Sequence, residues 1–330
     1  RNLCANSWCT NAMGINQNQM RMRNITNSSI VMRVLILSIT ILASMVSCDT
    51  DSSQDSISDP IEVTNPNQIV EAIIDDSDLS LLPKDEGGRQ KAHPLGSTSA
   101  SFGFNLYLPS NYSEDGPEYP LIVFLHGWGG QGDSSLNPSD LDRITHQGPP
   151  GMIRSGIWNP TYPFIVVSPQ AHPEEYWYPE EVHDFINDLL ETYQINAQRI
   201  YLTGLSMGGG GCWYYVGEIE DNHAAAIVPI AAYGAPSLVD NLKRIPVWAF
   251  HGADDSTVLA YDWYGSVPMV EMINASGPVV PAKVTVFPET GHNSWTKTYH
   301  GTGMFKGDFR LDQYNMNIYD WMLQYRKNDF

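Results

Sequence analysis

A serine flanked by glycines stands where an apolar run of the sequence meets a helix that we predict over residues 207–218. Ser206 is the central residue of a G-x-S-x-G pattern at 204–208, which follows the apolar run 200–202. Glycines relieve the crowding of a sharp strand-to-helix turn, and the amino end of a helix favours developing negative charge. We therefore predict that Ser206 is the nucleophile of an acyl-transfer reaction. A glycine-rich turn that carries a solvated serine is the alternative.

A serine hydroxyl is a poor nucleophile without a base, and His292 is the best-placed histidine for that role. It follows the apolar run 284–287, the last predicted strand, and comes after Ser206 in the chain. Loops at the carboxyl ends of strands are where folds of this kind place function. We predict that His292 is the general base, and we interpret His126 as a packing residue rather than a second base.

The third member of such a set is an acid that orients the base, and two adjacent aspartates compete for this role. Asp254 and Asp255 follow the apolar run 246–250 and lie between the predicted nucleophile and the predicted base. Successive side chains of an extended chain diverge, so only one of the two can face His292. We predict Asp255 as the acid and keep Asp254 as the alternative.

Two backbone amides are predicted to stabilise the oxyanion that forms when the serine attacks a carbonyl. The first is the N–H of Met207, directly after the serine. The second comes from the glycine-containing loop 126–130, which follows the apolar run 121–125, and Trp128 is our candidate donor. The mechanism needs no cofactor, and no His, Asp or Glu cluster has metal-ligand spacing, so we expect no metal in the site.

The residues named above must be positioned by strands and helices that alternate along the chain. Helices are predicted over 179–193, where apolar side chains share one face, over 207–218 and around 311–325. Residues 102–108 partly alternate between apolar and polar, which predicts a half-exposed antiparallel strand. Continuous apolar runs predict strands buried on both faces, and the pattern indicates an α/β fold with a mainly parallel, doubly wound sheet. Six such runs occur, at 121–125, 164–167, 200–202, 224–230, 246–250 and 284–287.

Composition narrows the class of protein. The 330 residues are enough for one domain with a large buried core, and 42% of them are hydrophobic. The net charge is −19, which argues against a nucleic-acid partner, because phosphate binding needs clustered Lys and Arg. Only Cys212 lies beyond residue 48, so we expect no disulfide within the folded domain. As a catalytic thiol it is a poor candidate, since Ser206 has the better sequence context.

The amino-terminal part of the sequence resembles a bacterial lipoprotein signal. Arg33 precedes the 13-residue apolar stretch 34–46, which is too short to span a bilayer as a helix. Cys48 follows after the small residue Ser47, as in a lipobox, and this resemblance implies export, cleavage before Cys48 and lipidation of its thiol. An ordinary signal peptide of a secreted or periplasmic protein is the alternative. We predict a leader and signal at 1–48, a flexible tether and the start of the domain at 49–97, and a catalytic domain at 98–330.

Several motifs occur in the order of one known group of enzymes and cover about residues 98–330. This set resembles the esterase branch of the α/β-hydrolases that is related to poly(3-hydroxyalkanoate) depolymerases, feruloyl esterases and prolyl-oligopeptidase-like hydrolases. The resemblance implies the α/β-hydrolase fold, Ser206, Asp255 and His292 as a triad, and the Trp128 and Met207 amides as oxyanion donors. Gly210 departs from the group, which often has a larger residue there. The motifs are F-L-H-G at 124–127, H-Q-G-P-P at 146–150, the serine turn with Trp213, H-G-x-x-D at 251–255 and G-H-x-x-W at 291–295.

Three tryptophans fall on loops near these motifs: Trp128, Trp177 and Trp295. They are candidates for a substrate cleft, although each could equally be a core anchor. We expect small-molecule or polymeric esters as substrates, with feruloyl esters and polyesters preferred. A serine peptidase of the prolyl-oligopeptidase-like type is one alternative. A surface module that has lost catalysis and binds polysaccharide is the other.

Overall fold

An eight-stranded sheet crosses the part of the chain that the computed structural model describes, residues 74–329. The strands are β1 (Arg89–His93), β2 (Gly103–Leu108), β3 (Tyr119–Leu125), β4 (Ile165–Gln170), β5 (Ile195–Leu205), β6 (Ala226–Ile230), β7 (Trp248–Gly252) and β8 (Lys283–Phe287). The helices are α1 (Gly148–Arg154), α2 (Pro179–Thr192), α3 (Met207–Glu218), α4 (Val239–Leu242), α5 (Ser266–Ala275), α6 (Trp295–Tyr299) and α7 (Ile318–Leu323). Each of the six predicted apolar runs overlaps one of the strands β3 to β8.

The order of the strands in the sheet is β1-β2-β4-β3-β5-β6-β7-β8. Strands β3 to β8 are parallel to one another, whereas β2 runs antiparallel to both β1 and β4. In a parallel sheet the carboxyl ends of the strands meet at one edge. The loops that follow β3, β5, β7 and β8 therefore lie together at that edge, and these are the loops that carry the predicted site residues.

Both faces of the sheet are buried, and the side chains of β3 illustrate this. Its residues Leu121, Val123 and Leu125 belong to the apolar cluster that includes α2, α3 and α5. Ile122 and Phe124 point to the opposite cluster, which includes α6 and α7. Alternating side chains of one strand thus enter two separate cores, which explains why the sequence of β3 is continuously apolar rather than alternating.

Residues before position 98 contribute to the fold. Strand β1 pairs with β2, so the predicted domain boundary falls between two paired strands. Leu79 is buried in the core, and Asp78 forms an ion pair with the fully buried Arg199, with Nε and Oδ2 2.7 Å apart. The stretch 74–97, predicted as the end of the tether and the start of the domain, therefore supplies a strand, a core side chain and the partner of a buried charge.

Two local expectations were wrong. Strand β2 was predicted to be half-exposed, but it is almost entirely buried, because Phe185 of α2 packs edge-on against Phe104 on one side and Asn105 Nδ2 donates to the carbonyl of Leu141 at 2.9 Å on the other. The closing helix was predicted over 311–325, but α7 is shorter. Asn317 ends the preceding loop and caps the helix, since its side chain accepts the N–H of Asp320 at 2.9 Å.

Residues 1–73 and Phe330 lie outside the described part of the chain. The predicted leader and signal at 1–48, the lipidation site at Cys48 and the tether up to residue 73 all fall there. Within residues 74–329, no helix has the length and apolar character needed to cross a membrane.

Candidate active site

Ser206 occupies a strained turn between β5 and α3. Its φ is 53° and its ψ is −119°, a conformation that residues with a Cβ adopt rarely. The neighbouring glycines allow it, because a side chain at Gly204 would collide with the carbonyl of Gly208, and one at Gly208 would collide with that of Leu125. The Ser206 N–H donates to the carbonyl of Ile230 at 2.9 Å, which ties the turn to β6. Ser206 is thereby held at the amino end of α3.

The side chains of Ser206, His292 and Asp255 form one hydrogen-bonded chain. His292 Nδ1 lies 2.7 Å from Asp255 Oδ2, and His292 Nε2 lies 2.9 Å from Ser206 Oγ. An ionised carboxylate can only accept, so Nδ1 carries the proton and Nε2 accepts the hydroxyl of Ser206. The structure thus brings together the three residues predicted from the sequence, in the arrangement that can remove a proton from the serine.

Asp255 is buried and fully supplied with donors. Burial by itself would raise the pKa of this carboxyl, but hydrogen bonds from His251, His292 and the amides of Val258 and Thr257 hold the pKa well below its usual range. The two amides donate to Oδ1 at 3.0 and 2.9 Å. Asp255 is therefore ionised at neutral pH and can stabilise a proton on His292.

Asp254, the alternative acid, takes no part in the hydrogen-bonded chain of Ser206, His292 and Asp255. Its side chain is exposed, and its backbone N–H donates to the carbonyl of Thr290 at 2.9 Å. This contact joins the loop after β7 to the loop that carries His292. Asp254 therefore supports the loop through its backbone, while its neighbour faces the imidazole.

No sequence pattern predicted the role of His251, a second histidine that contacts Asp255. It is fully buried, and its Nε2 lies 3.2 Å from Asp255 Oδ2 and 2.9 Å from the carbonyl of Val258. Both partners are acceptors, so Nε2 carries a proton, and Nδ1 lies 2.8 Å from the hydroxyl of Ser266. The contact across four residues arises because the loop after β7 folds back on itself. The only sequence signal was the H-G-x-x-D spacing.

The loop after β3 also lies close to Ser206. A side chain at Gly127 would lie 3.5 Å from Ser206 Cβ. His126 fixes this loop: its Nδ1–H donates to the carbonyl of Gly127 at 2.7 Å, and its Nε2 accepts the N–H of Ala171 at 3.0 Å. Burial lowers the pKa of His126 to about 4, so the ring is neutral. His126 thus holds the loop in place, as the interpretation of a packing residue predicted.

The two predicted oxyanion donors each begin a helical turn. Trp128 is the first residue of a short 3-10 helix, Trp128–Gly130, and Met207 is the first residue of α3. Amides in the first turn of a helix have no acceptor within that helix. Neither N–H group therefore has an acceptor within its own helical turn.

Two clefts meet at Ser206, and both are also bordered by Trp128 and Thr257. The histidine-side cleft has a volume of about 510 Å³, and its wall includes His292, Trp295, Arg143, His146 and Gln147. The tyrosine-side cleft has a volume of about 530 Å³, and its wall includes Met207, Gly210, Tyr176, Tyr178, Tyr214 and Tyr233. Each volume is in the range of small-molecule sites. The sequence analysis did not select the four tyrosines, Arg143, His146 or Gln147 for the clefts, because they come from several segments that are separated in the sequence.

The three predicted cleft tryptophans differ in position. Trp128 is 53% exposed and stands between the two clefts. Trp295 is largely buried and borders the histidine-side cleft, where its ring meets that of His292 edge-on at 5.2 Å. Trp177 reaches the tyrosine-side cleft only with an edge, since it is 5% exposed and its Nε1–H donates to the carbonyl of His126 at 3.0 Å.

Cys212 is fully buried in α3, and burial raises the pKa of its thiol far above the usual value. The thiol is therefore protonated and out of reach of a substrate. Among residues 74–329, no group of three or more His, Cys, Asp or Glu side chains could hold a metal ion.

Comparisons with known proteins find esterases at low sequence identity. No family model matches the chain. A bifunctional acetylxylan esterase/xylanase of Neocallimastix patriciarum is 25% identical over 158 residues, which are 47% of this chain and 21% of that protein. A thermostable esterase of known structure is 25% identical, with a TM-score of 0.53, over 73% of this chain and 64% of its own. A feruloyl esterase module from Clostridium thermocellum, in complex with sinapinate, is 18% identical with a TM-score of 0.49, over 78% and 94% of the two chains.

The strand order and the similarity to the thermostable esterase show the α/β-hydrolase fold, which confirms the predicted fold class. The predicted resemblance to esterases of this fold is also confirmed, because the curated relative and that structure are both esterases. This chain spans about a fifth of the curated relative and 64% of the thermostable esterase.

Proposed function

We propose that this protein is a serine carboxylic-ester hydrolase in which Ser206, His292 and Asp255 form the catalytic triad. The observation that carries the proposal is the continuous chain from Ser206 Oγ through the imidazole of His292 to Asp255 Oδ2. His292 takes the hydroxyl proton as Oγ attacks the ester carbonyl, and the amides of Trp128 and Met207 hold the oxyanion.

The second half of the reaction uses the same groups. His292 gives its proton to the leaving alcohol, and the acyl group stays on Ser206 as an ester. Water, deprotonated by His292, then attacks this acyl-enzyme, and the acid product leaves with Ser206 restored. Asp255 remains ionised throughout and stabilises the imidazolium form of His292, and no cofactor takes part.

Among esters, we propose those with an aromatic acyl group, such as ferulate, or those attached to a polymer. Exposed aromatic rings at the mouth of the site support the first class, since Trp128, Tyr176, Tyr178 and Tyr233 are each between 43% and 53% exposed. The curated relative is named for acetylxylan, which is an ester of a polysaccharide, and this supports the second class.

Turnover of p-nitrophenyl butyrate by wild type and by Ser206→Ala tests the proposal. Removal of one triad member lowers turnover by about 10⁴- to 10⁶-fold, while circular dichroism should show an unchanged fold. A phosphonate inhibitor should add its mass to wild type at Ser206 and leave Ser206→Ala unmodified. Retention of a tenth of the wild-type rate by Ser206→Ala contradicts the assignment.

Two further outcomes of the same assay separate the alternatives. Faster hydrolysis of p-nitroanilide peptides than of esters would identify a peptidase. Absence of turnover on every ester and amide, with retained binding of polysaccharide, would identify a binding module.

We further propose that Cys48 carries a lipid anchor. The support is its position two residues after the 13-residue apolar stretch 34–46. Each buried methylene of an acyl chain contributes roughly 0.8 kcal/mol to membrane binding, so several chains hold a protein firmly. In a bacterial host, wild type should enter the membrane fraction with an acyl mass increment, and Cys48→Ser should not. Identical partitioning and identical mature masses would show an ordinary secreted protein instead.

A further inference from the structure

The two clefts at Ser206 offer different chemistry to the two halves of an ester. The wall of the histidine-side cleft includes the polar residues Arg143, His146 and Gln147. Arg143 is positioned there by two contacts, since Nη1 donates to the carbonyl of Gln131 at 2.7 Å and Nη2 pairs with Asp140 at 2.9 Å. This cleft therefore presents donors and acceptors to a polar group.

The tyrosine-side cleft presents flat rings instead. Tyr176 and Tyr233 are about half-exposed, and the ring of Tyr176 contacts that of Trp128 with centroids 5.6 Å apart. Aromatic faces pack well against a planar apolar group, and phenolic hydroxyls can bond its polar substituents. A cleft of this kind fits a planar aromatic ring.

The position of His292 decides which half of the ester enters which cleft. The leaving oxygen must accept a proton from His292, so it has to lie within hydrogen-bond reach of Nε2. His292 and the adjacent Trp295 border the histidine-side cleft and not the tyrosine-side cleft. The alcohol is therefore directed to the histidine side. The acyl group, held beside the amide of Met207, extends to the tyrosine side.

We propose that the acyl group occupies the tyrosine-side cleft, that the alcohol occupies the histidine-side cleft, and that Gly210 sets the size of the acyl group. This assignment rests on the proposed ester hydrolysis. Gly210 borders the tyrosine-side cleft, and a Cβ there would meet only the carbonyl of Tyr233, at an ordinary 3.7 Å. A Cβ at Gly209 or Gly211 would instead press on side chains at 2.6 and 2.8 Å. Gly210 is thus not required by packing, and its missing side chain leaves room for substrate.

A matched glycine borders the other cleft. Gly129 has no atom within 4 Å of a Cβ built on it, and it faces the histidine-side cleft. Leucine at Gly210 or at Gly129 therefore fills one cleft at a time at little packing cost. The alanine variants at the same two positions add only a Cβ and serve as controls.

Three esters separate the two halves: methyl butyrate, methyl ferulate and a feruloyl arabinose. The first two differ only in the acyl group, and the last two differ only in the alcohol. Gly210→Leu should lower kcat/KM for methyl ferulate relative to methyl butyrate by about tenfold or more, with the ratio of feruloyl arabinose to methyl ferulate unchanged. Gly129→Leu should lower the second ratio by a similar factor and leave the first unchanged. Tyr233→Ala should lower the first ratio without adding bulk.

Ratios from one enzyme preparation are insensitive to partial unfolding, and thermal denaturation of each variant checks its fold. The reverse pattern, or no change in either ratio, overturns the assignment of the clefts. A wild type that hydrolyses methyl butyrate but not methyl ferulate also overturns it. Absence of hydrolysis of all three esters, in contrast, contradicts the proposed function itself.

Discussion

The same dipeptide, His-Gly, stands at the carboxyl ends of two strands of this molecule and has a different role at each. His126-Gly127 directly follows β3, whereas His251-Gly252 forms the last two residues of β7, so both histidines lie at the catalytic edge of the sheet at the end of a buried strand. Both rings are buried. The ring of His126 bonds to backbone groups on either side, whereas the ring of His251 faces the carboxylate of Asp255 at 3.2 Å.

The comparison shows that the role of each histidine depends on its hydrogen-bond partners and not on the dipeptide. Burial among backbone groups lowers the pKa of His126 to about 4, so it is a neutral clamp for the loop that carries Trp128. His251 donates to the same oxygen of Asp255 that accepts from His292. One loop is thus held by neutral hydrogen bonds, and the other by an ionised carboxylate with two imidazole partners.

The largest expected effect concerns the carboxylate of the β7 loop. Asp255→Asn should lower kcat by about 10⁴-fold, because an amide cannot hold His292 in the required tautomer. The matched control is Asp254→Asn, whose exposed side chain should matter little. Steady-state kinetics on a p-nitrophenyl ester compares the two. If Asp254→Asn were the more damaging change, the acid would have to be reassigned.

The neutral clamp of the β3 loop should be visible in the pH dependence of stability. The folded-state pKa of His126, about 4, lies below the unfolded value of about 6.5. Between these values the unfolded state binds more protons, so the free energy of unfolding should fall by up to about 3 kcal/mol as the pH falls from about 6.5 to about 4. The pKa of Asp255 is held below its usual range, so its contribution is lost only below about pH 4.

Urea denaturation at several pH values measures this effect. His126→Gln removes the titrating group and should flatten the stability curve between about pH 6.5 and 4. The exposed His300 supplies the control, since His300→Gln should leave the curve unchanged. Equal slopes for wild type and His126→Gln would show that the clamp does not titrate in this window.

The second partner of Asp255 should act by positioning. His251→Leu removes a donor from the carboxylate and should lower kcat/KM by up to about a hundredfold through displacement of Asp255. It should also shift the lower limb of the pH–rate profile, because the carboxylate that faces His292 loses one of its donors. His251→Gln keeps an amide donor and should recover part of the loss. A stability loss with an unchanged pH profile would indicate a purely structural residue.

The smallest expected effect compares the glycines of the two dipeptides. A Cβ at Gly252 would collide with the carbonyls of Thr290 and Gly291, in the loop that carries His292, whereas one at Gly127 would meet the flexible end of Leu205 at 2.7 Å. Gly252→Ala should therefore cost about 1–3 kcal/mol of stability and lower kcat, and Gly127→Ala should cost less. Thermal denaturation and turnover of both variants check the ranking. Equal losses of stability and kcat in the two variants would mean that both loops accommodate the added Cβ equally well.

The parallel core and the three members of the proposed triad could be predicted from local patterns. Strands buried on both faces need continuous apolar runs, and the turn at Ser206 needs glycines at 204 and 208, so both leave a signal in the sequence. His292 could be identified because it follows the last of these runs. The pattern favoured Asp255 as the acid but did not exclude Asp254.

The sequence by itself determined the order of the elements and the chemistry that Ser206, Asp255 and His292 can perform, because both depend on residue type and spacing. The tertiary structure decided the rest: the place of β1 in the sheet, the burial of β2, the contact of His251 with Asp255 and the two clefts. These features join segments that are distant in the sequence or a loop that folds back on itself. Their contacts depend on how the chain packs in three dimensions, and no periodicity along the sequence records that packing.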